Sequence, residues 1–247
     1  MNENENLFRF SIYYEVPRRG ETPAVIGAKF LQTLDALSRI DPLLARWKVL
    51  DRPTLASVPL ADARPRIATI IEDFVVLDDD GQPEPESGYS AVGVTDTAIP
   101  SRQVEFSVNA GGLVRDQMML HVGGILHPTD PLMVKYNLFR GALLTTSAIW
   151  QPTWACAAAT RRGYSKEPIV PSAPLFPASV FRIPWIAFLS PALAVGFPLP
   201  AEIRTARVPD EGLLLTVTDE PFDPTNPEHL RRARILAESM IARAGGG

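Results

Sequence analysis

Two pairs of short strands joined by turns constrain the fold of this chain more than any other feature of its sequence. The first pair is predicted at 104–108 and 117–122, with Asn109, Gly111 and Gly112 between the strands. The second pair is "IRTARV" and "LLLTVTD", separated by the turn sequence "PDEG". Strands joined in this way run antiparallel, so we expect a mainly antiparallel sheet.

Amphipathic helices accompany these strands. An alternating strand, "LFRFSIYYEV", is followed by Thr22 and Pro23, a pair typical of a helix start. The next helix start is Thr129-Asp130-Pro131, and Asn226 with Pro227 starts the last helix. Apolar stripes are predicted in the helices that begin at Pro23 and Pro131, at Val25, Ile26, Phe30, Leu34 and Leu37, and at Leu132, Tyr136, Phe139, Leu143 and Leu144. The pattern predicts an α+β fold, with a mainly antiparallel sheet, amphipathic helices packed on it and a C-terminal helix.

The domain organisation is predicted to be simple. A chain of 247 residues can form one large domain, and we expect a single domain over 1–247, or two lobes divided near the proline-rich stretch 167–177. Residues 77–88, "LDDDGQPEPESG", are predicted to form an exposed acidic loop. The final residues, 244–247, are predicted to be disordered.

Composition indicates a cytoplasmic globular protein. Hydrophobic residues make up 46% and charged residues 21%, while the net charge of −4 argues against direct nucleic-acid binding. One cysteine, Cys156, excludes an internal disulfide and favours a reducing compartment. The first residues lack the pattern of a signal peptide, and the apolar stretch 185–200 is interrupted by prolines and too short to span a bilayer. We expect no membrane association.

The sequence does not contain the motifs of the common catalytic mechanisms. It has no G-x-S-x-G elbow, no Walker loop and no H-E-x-x-H helix, and one cysteine with three histidines cannot form a structural zinc site. None of the four lysines completes the Asp/Glu-x-Lys pattern of restriction-type nucleases. Cys156, flanked by alanines, is interpreted as a buried core residue, and His121 as a strand residue. We therefore predict no catalytic, cofactor-binding or metal-binding residues.

One acidic stretch could contradict that prediction. In "TVTDEPFDPTNPEHLRRARIL", the carboxylates Asp219, Glu220, Asp223 and Glu228 lie close together, with His229 beside them. A metal or catalytic site is one interpretation. The other is a strand end, a turn and a helix start, in which Asn226 caps the helix and Glu228 stabilises its first turn. The structural interpretation explains every residue and is preferred.

The same stretch resembles the C-terminal motif of the Immunity protein 52 family of bacterial polymorphic-toxin systems. The matching residues are Thr218, Glu220, Phe222, Asp223, Asn226, Pro227 and His229. Two weaker similarities are "TLDALSRIDPLLARWKV" and "PLFPASVFRIPWIAFLS". In the second, Ile183 and Pro184 precede Trp185, where the family usually has a glycine.

The resemblance implies a protein that binds and neutralises one toxin, often a nuclease with the restriction-endonuclease fold. Some members of the family protect the producing cell from a DNA-cleaving effector of a type VI secretion system. The family's motif residues are interpreted as fold determinants, so no catalytic role is transferred to this chain.

An acidic inhibitor can imitate DNA in front of a basic nuclease site. The first predicted toxin-binding patch is the loop that contains Asp78, Asp79, Asp80, Glu84 and Glu86, which could equally be a solvated loop. The second is Asp210 and Glu211 together with Asp219 and Glu220. The inhibitor could also bind away from the nuclease site. Two other functions remain open: an adaptor or chaperone that loads the effector, and an enzyme with His121 or His229 beside a carboxylate.

Overall fold

The described part of the chain forms one ten-stranded sheet in which neighbouring strands run antiparallel. The computed structural model describes residues 8–17, 19–51, 56–112, 116–123, 127, 129–161, 182–208 and 212–245. The strands are β1 (Phe8–Val16), β2 (Trp47–Asp51), β3 (Ala56–Pro59), β4 (Tyr89–Thr95), β5 (Val104–Ala110), β6 (Asp116–Val122), β7 (Trp154–Arg161), β8 (Arg182–Leu189), β9 (Arg204–Val208) and β10 (Gly212–Thr216). Their order is β3-β2-β4-β5-β6-β1-β7-β8-β10-β9, so the N-terminal strand lies in the middle of the sheet. The predicted stretch 167–177 lies outside the described residues.

The helices are α1 (Pro23–Leu37), α2 (Leu60–Ala63), α3 (Ile67–Asp73), α4 (Tyr136–Trp150), α5 (Pro191–Ala194) and α6 (Pro227–Gly245). On one face of the sheet, Phe30 of α1 stacks on Phe106 of β5, and Phe139 of α4 meets Phe10 of β1. We call this the helix face. Helix α6 packs against β8 and extends through Gly245, into the segment predicted to be disordered. No helix in the described part of the chain is long and apolar enough to cross a membrane.

These elements confirm the predicted α+β class, the mainly antiparallel sheet and the C-terminal helix. Both predicted hairpins are present, as β5–β6 and β9–β10, although the "PDEG" turn at 209–212 lies outside the described residues except for Gly212.

The predicted start of the second long helix is wrong. Residues Pro131–Met133 form a single 3-10 turn, in which the Asp130 carboxylate accepts the backbone N–H of Leu132. The backbone is extended again at Lys135, and α4 begins only at Tyr136. Leu132 is consequently 62% exposed and does not belong to the buried stripe, and Val25 of α1 is also exposed. The residues Thr129, Asp130 and Pro131, which predicted a helix start, therefore precede a short 3-10 turn, and the helix itself begins after that turn.

A β-bulge in β8 determines where Trp185 lies. Ile186 is opposite Ala157 and Pro184 is opposite Ala158, so Trp185 is one residue more than β7 can pair. Proline has no backbone N–H for the ladder, and bulges are among the places where a sheet accepts it. The extra residue turns the Trp185 side chain onto the helix face, where its indole N–H donates to the Thr218 carbonyl at 2.8 Å.

Trp185 is completely buried at the centre of an aromatic cluster. Its ring centroid lies 5.2 Å from Phe139 and 6.3 Å from Tyr136 on α4, and 6.1 Å from Phe10 on β1. Phe222, which leads into α6, stacks on it at 5.9 Å. One side chain therefore joins the middle of the sheet to α4 and to the start of α6.

The opposite face of the sheet carries a row of polar side chains. Ser11 of β1 and Glu105 of β5 are the cross-strand neighbours of His121, and the Ser11 hydroxyl oxygen lies 2.5 Å from the His121 Nδ1. Burial, reinforced by the charges of Arg9 and Arg182, lowers the pKa of His121 to about 4. His121 is therefore neutral in the folded protein at physiological pH.

Replacing Trp185 with leucine tests the role of the aromatic cluster. The variant loses ring contacts to four residues and leaves part of the cavity unfilled, so we expect a loss of about 3 kcal/mol in the free energy of unfolding. Urea unfolding measures this loss. Leu132→Ala, at an exposed position, is the control and should change the stability by less than about 0.5 kcal/mol. A loss below about 1 kcal/mol for Trp185→Leu would contradict the role of Trp185.

Replacing His121 with glutamine tests the neutral histidine. Between pH 6.5 and 4 the unfolded chain binds a proton at His121 that the folded chain does not, so the wild type loses stability as the pH falls through this range. His121→Gln should lack this component, and from pH 7.5 to 5 it should lose about 1–2 kcal/mol less than the wild type. Urea unfolding at both pH values measures the difference. His127→Gln, at an exposed position, is the control and should behave as the wild type does.

Candidate partner-binding surfaces

The acidic loop of residues 77–88 has a defined backbone conformation. One Asp78 carboxylate oxygen accepts the backbone N–H groups of Asp80 at 3.0 Å and Gln82 at 2.7 Å. The backbone N–H of Glu84 donates to the Val76 carbonyl at 2.7 Å, and isolated bridges pair Val75 with Tyr89 and Leu77 with Pro83. The loop is therefore a hydrogen-bonded extension of the start of β4.

The loop presents a concentrated negative charge. Asp78, Asp79, Asp80, Glu84 and Glu86 are all exposed, and the segment contains no lysine or arginine. Among the described residues, no ion pair involves any of these five carboxylates. Asp78 and Glu84 bond within the loop, Glu84 by accepting the Ser87 hydroxyl. The carboxylates of Asp79, Asp80 and Glu86 are the ones most available to a partner.

Only half of the second predicted patch lies among the described residues. Asp219 and Glu220 follow the end of β10 and are exposed, and Asp219 pairs with Arg204 at 2.5 Å. Asp210 and Glu211 lie outside the described residues.

The acidic loop and Asp219 are far apart in the sheet. Six strand intervals separate β4 from β10, which corresponds to about 29 Å at about 4.8 Å per interval. Because every neighbouring pair is antiparallel, β4 and β10 run in the same direction. The loop precedes β4, whereas Asp219 follows β10, so they also lie at opposite ends of the sheet. We call the end where β4 and β10 start and β8 ends the acidic-loop end.

The acidic stretch at 219–229 has a structural arrangement. The Asp223 carboxylate accepts the backbone N–H and the hydroxyl of Thr225, which lowers the pKa of Asp223. Asn226 caps α6 through the N–H of Glu228 at 2.9 Å. The His229 Nδ1 accepts the Asp223 N–H at 3.0 Å, and its ring stacks on Phe222 at 5.5 Å. Among the described residues, no group of three or more His, Cys, Asp and Glu side chains could hold a metal ion.

Glu228 also has a structural role. Its carboxylate accepts hydrogen bonds from the guanidinium groups of Arg231 and Arg232, and these bonds lower the pKa of Glu228 to about 2. The pairs lie three and four residues apart on α6, the spacing at which side chains on a helix surface meet. The stretch from Asp219 to Arg232 thus contains a turn, a helix cap and ion pairs on the helix surface.

One arrangement on the opposite face of the sheet resembles a catalytic triad in composition. Ser11, His121 and Glu105 occupy neighbouring positions on β1, β6 and β5, and burial raises the pKa of Glu105. Sequence reasoning considered His121 but missed Ser11, which lies 110 positions earlier, and Glu105 on the other strand of the predicted hairpin. Ser11 is 0% exposed, so its hydroxyl cannot reach a substrate in this structure.

Cys156 does not have the properties of a nucleophile. It is completely buried in β7, and burial raises the pKa of its thiol to about 12. A catalytic cysteine needs a lowered pKa and access to substrate. The interpretation of Cys156 as a core residue is confirmed.

The structure contains a groove that sequence reasoning missed. It lies between the segment 191–199, which includes α5, and the β9–β10 hairpin, with a volume of about 650 Å³. Its lining includes Val195, Phe197, Leu199, Arg207 and Leu213. The signal in the sequence is the apolar run "SPALAVGFPLP", which belongs to the stretch that is too short for a membrane span.

Comparisons with known proteins agree with the resemblance found in the sequence. A solved structure described as Pseudomonas aeruginosa T6SS protein PA0821 superposes with a TM-score of 0.55 and 13% sequence identity, over 95% of this chain and 73% of that one. At this identity the similarity concerns the fold alone. No curated protein matches the chain. The family model of Immunity protein 52 matches residues 126–246, the region that contains α4, β7–β10 and α6.

Proposed function

We propose that this chain is an immunity protein that binds one cognate secreted toxin in a stoichiometric complex and so protects the producing cell. The observation that carries the proposal is the match of residues 126–246 to the Immunity protein 52 family. The similar solved structure is that of a T6SS protein, and we extend this setting to the present chain as part of the proposal. In this proposal the chain works by binding and catalyses no reaction.

The partner that we propose is a DNA-cleaving nuclease that acts in the cytoplasm. Such a nuclease needs a basic surface to hold the phosphates of DNA, because phosphate contacts supply most of the affinity for the backbone. The loop 77–88 offers five exposed carboxylates to that surface. Opposite charge also speeds the encounter of the two proteins, an advantage for an inhibitor that must act before DNA is cut.

The geometry of the loop supports this role over that of a merely solvated loop. The hydrogen bonds of Asp78 and the bridges at Val75 and Leu77 hold the backbone in one conformation. A segment that is already ordered loses less conformational entropy when it binds, so more of the contact energy remains as affinity.

Co-expression tests the function itself. Cells that express the toxin from the gene neighbouring that of this chain should die, and co-expression of this chain should restore growth. The toxin and this chain should also co-purify at a ratio of one to one. Survival without a complex would favour an enzyme. Co-purification with the full-length effector but not with its toxin domain would favour a loading adaptor.

Two loop substitutions test the acidic contact. Asp79→Asn with Asp80→Asn removes two charges and keeps the carboxylates that hold the backbone. We expect the association rate with the toxin to fall about tenfold at low salt, and the difference to shrink as added salt screens the charges. Stopped-flow or surface plasmon resonance measures the rate.

The matched control removes the same net charge elsewhere. Asp62 and Glu238 are exposed on α2 and α6, away from the loop. Asp62→Asn with Glu238→Gln should change the association rate by less than about twofold. If the two double variants slow association equally, the effect is one of net charge and the loop is not the contact.

A further inference from the structure

We propose that the groove between α5 and the β9–β10 hairpin is a second contact for the same toxin, and that it holds an apolar side chain next to a carboxylate. The inference rests on the proposed function, because it assigns a further part of the surface through which the toxin is bound. The groove would provide an apolar anchor for the complex, which the acidic loop cannot provide because it contains no apolar residue after Leu77.

The groove has the properties of a binding site for an apolar side chain. Phe197 and Leu213 are buried and line its floor, whereas Val195 is 73% and Leu199 58% exposed. The volume of about 650 Å³ lies within the range of ligand pockets. Large apolar side chains that remain this exposed around a concave site are a feature of interaction surfaces.

A charged residue of the groove indicates the chemistry of its occupant. Arg207 lines the groove and is exposed, and among the described ion pairs none involves it. Arg204, three residues earlier on the same strand, is already paired with Asp219. The Arg207 guanidinium can therefore bind a carboxylate of the partner with two parallel hydrogen bonds. Among the described strands, β9 is the last one on this side of the sheet.

The groove and the acidic loop belong to the same end of the sheet in strand order and direction. Segment 191–199 follows the end of β8, so the groove lies at the acidic-loop end of the sheet. The strands that carry the two sites are about 29 Å apart at about 4.8 Å per interval.

The two contacts would divide the work of binding. Exposed charges mainly raise the rate of encounter, while buried apolar anchors supply most of the affinity in protein complexes. The basic part of the toxin would face the loop, and an apolar side chain with a neighbouring carboxylate would enter the groove.

The test compares two groove variants with a matched control. Leu199→Glu places a charge on the groove, and Arg207→Glu repels the expected carboxylate. Leu132→Glu makes the same change at an exposed leucine at the other end of the sheet. The probe is the toxin from the neighbouring gene, inactivated in its catalytic site, and isothermal titration calorimetry gives its Kd. Thermal unfolding verifies that each variant is folded.

We expect each groove variant to raise the Kd at least about tenfold, mainly through faster dissociation, and Leu132→Glu to raise it less than about twofold. If one groove variant does not fold, the other decides the test. Folded groove variants that bind as tightly as the wild type would overturn the groove contact and leave the proposed function intact. A wild-type chain that does not bind the toxin at all would overturn both.

Discussion

The single extra residue in β8 is the constraint on which the arrangement of the helices depends. A proline at position 184 cannot donate to the ladder, and the ladder adapts by placing Trp185 outside the regular pairing. The indole then lies among side chains from β1, α4 and the segment before α6. Without the bulge, strict alternation would place Trp185 and Ile186 on opposite faces, and α4 would lose the ring against which Phe139 packs.

The bulge also connects two parts of the sequence that share the resemblance to the Immunity protein 52 family. The Trp185 indole donates to the Thr218 carbonyl, and the Val217 N–H donates to the Trp185 carbonyl at 2.9 Å. Phe222 and His229 then stack in series on the indole. The chain has Ile183 and Pro184 where a glycine is usual, and the structure shows that the tryptophan still reaches the core. The matched residues form one packed unit that positions α6 against β8.

Local patterns in the sequence were sufficient to predict many of the strands and helices, but they were insufficient to predict how these elements are arranged. The strands β1, β5 and β6 and the helices α1 and α6 follow from periodicity and caps, which depend only on near neighbours. The prediction that Leu132 belongs to the buried stripe was wrong because an Asp-Pro sequence can begin a 3-10 turn as well as a long helix. The order of the strands, and hence the distance between Asp219 and the loop at 77–88, depends on pairings between residues more than 100 positions apart, such as Tyr14 with Ala155.

Of the two candidate surfaces, one could be predicted from a local sequence pattern and the other depends on long-range strand pairing. The exposure of the acidic loop could be predicted because it contains no apolar residue after Leu77. The groove could not, since Phe197 and Leu213 become its floor only when β8 pairs with β10. The motif that resembles the Immunity protein 52 family follows the last residue of β10, at one end of the sheet. The loop and the groove lie at the other end. Exposed residues such as Asp79 and Leu199 make few core contacts, so their substitution changes stability little. Substitutions at the loop and the groove therefore leave intact the aromatic unit that holds the helices.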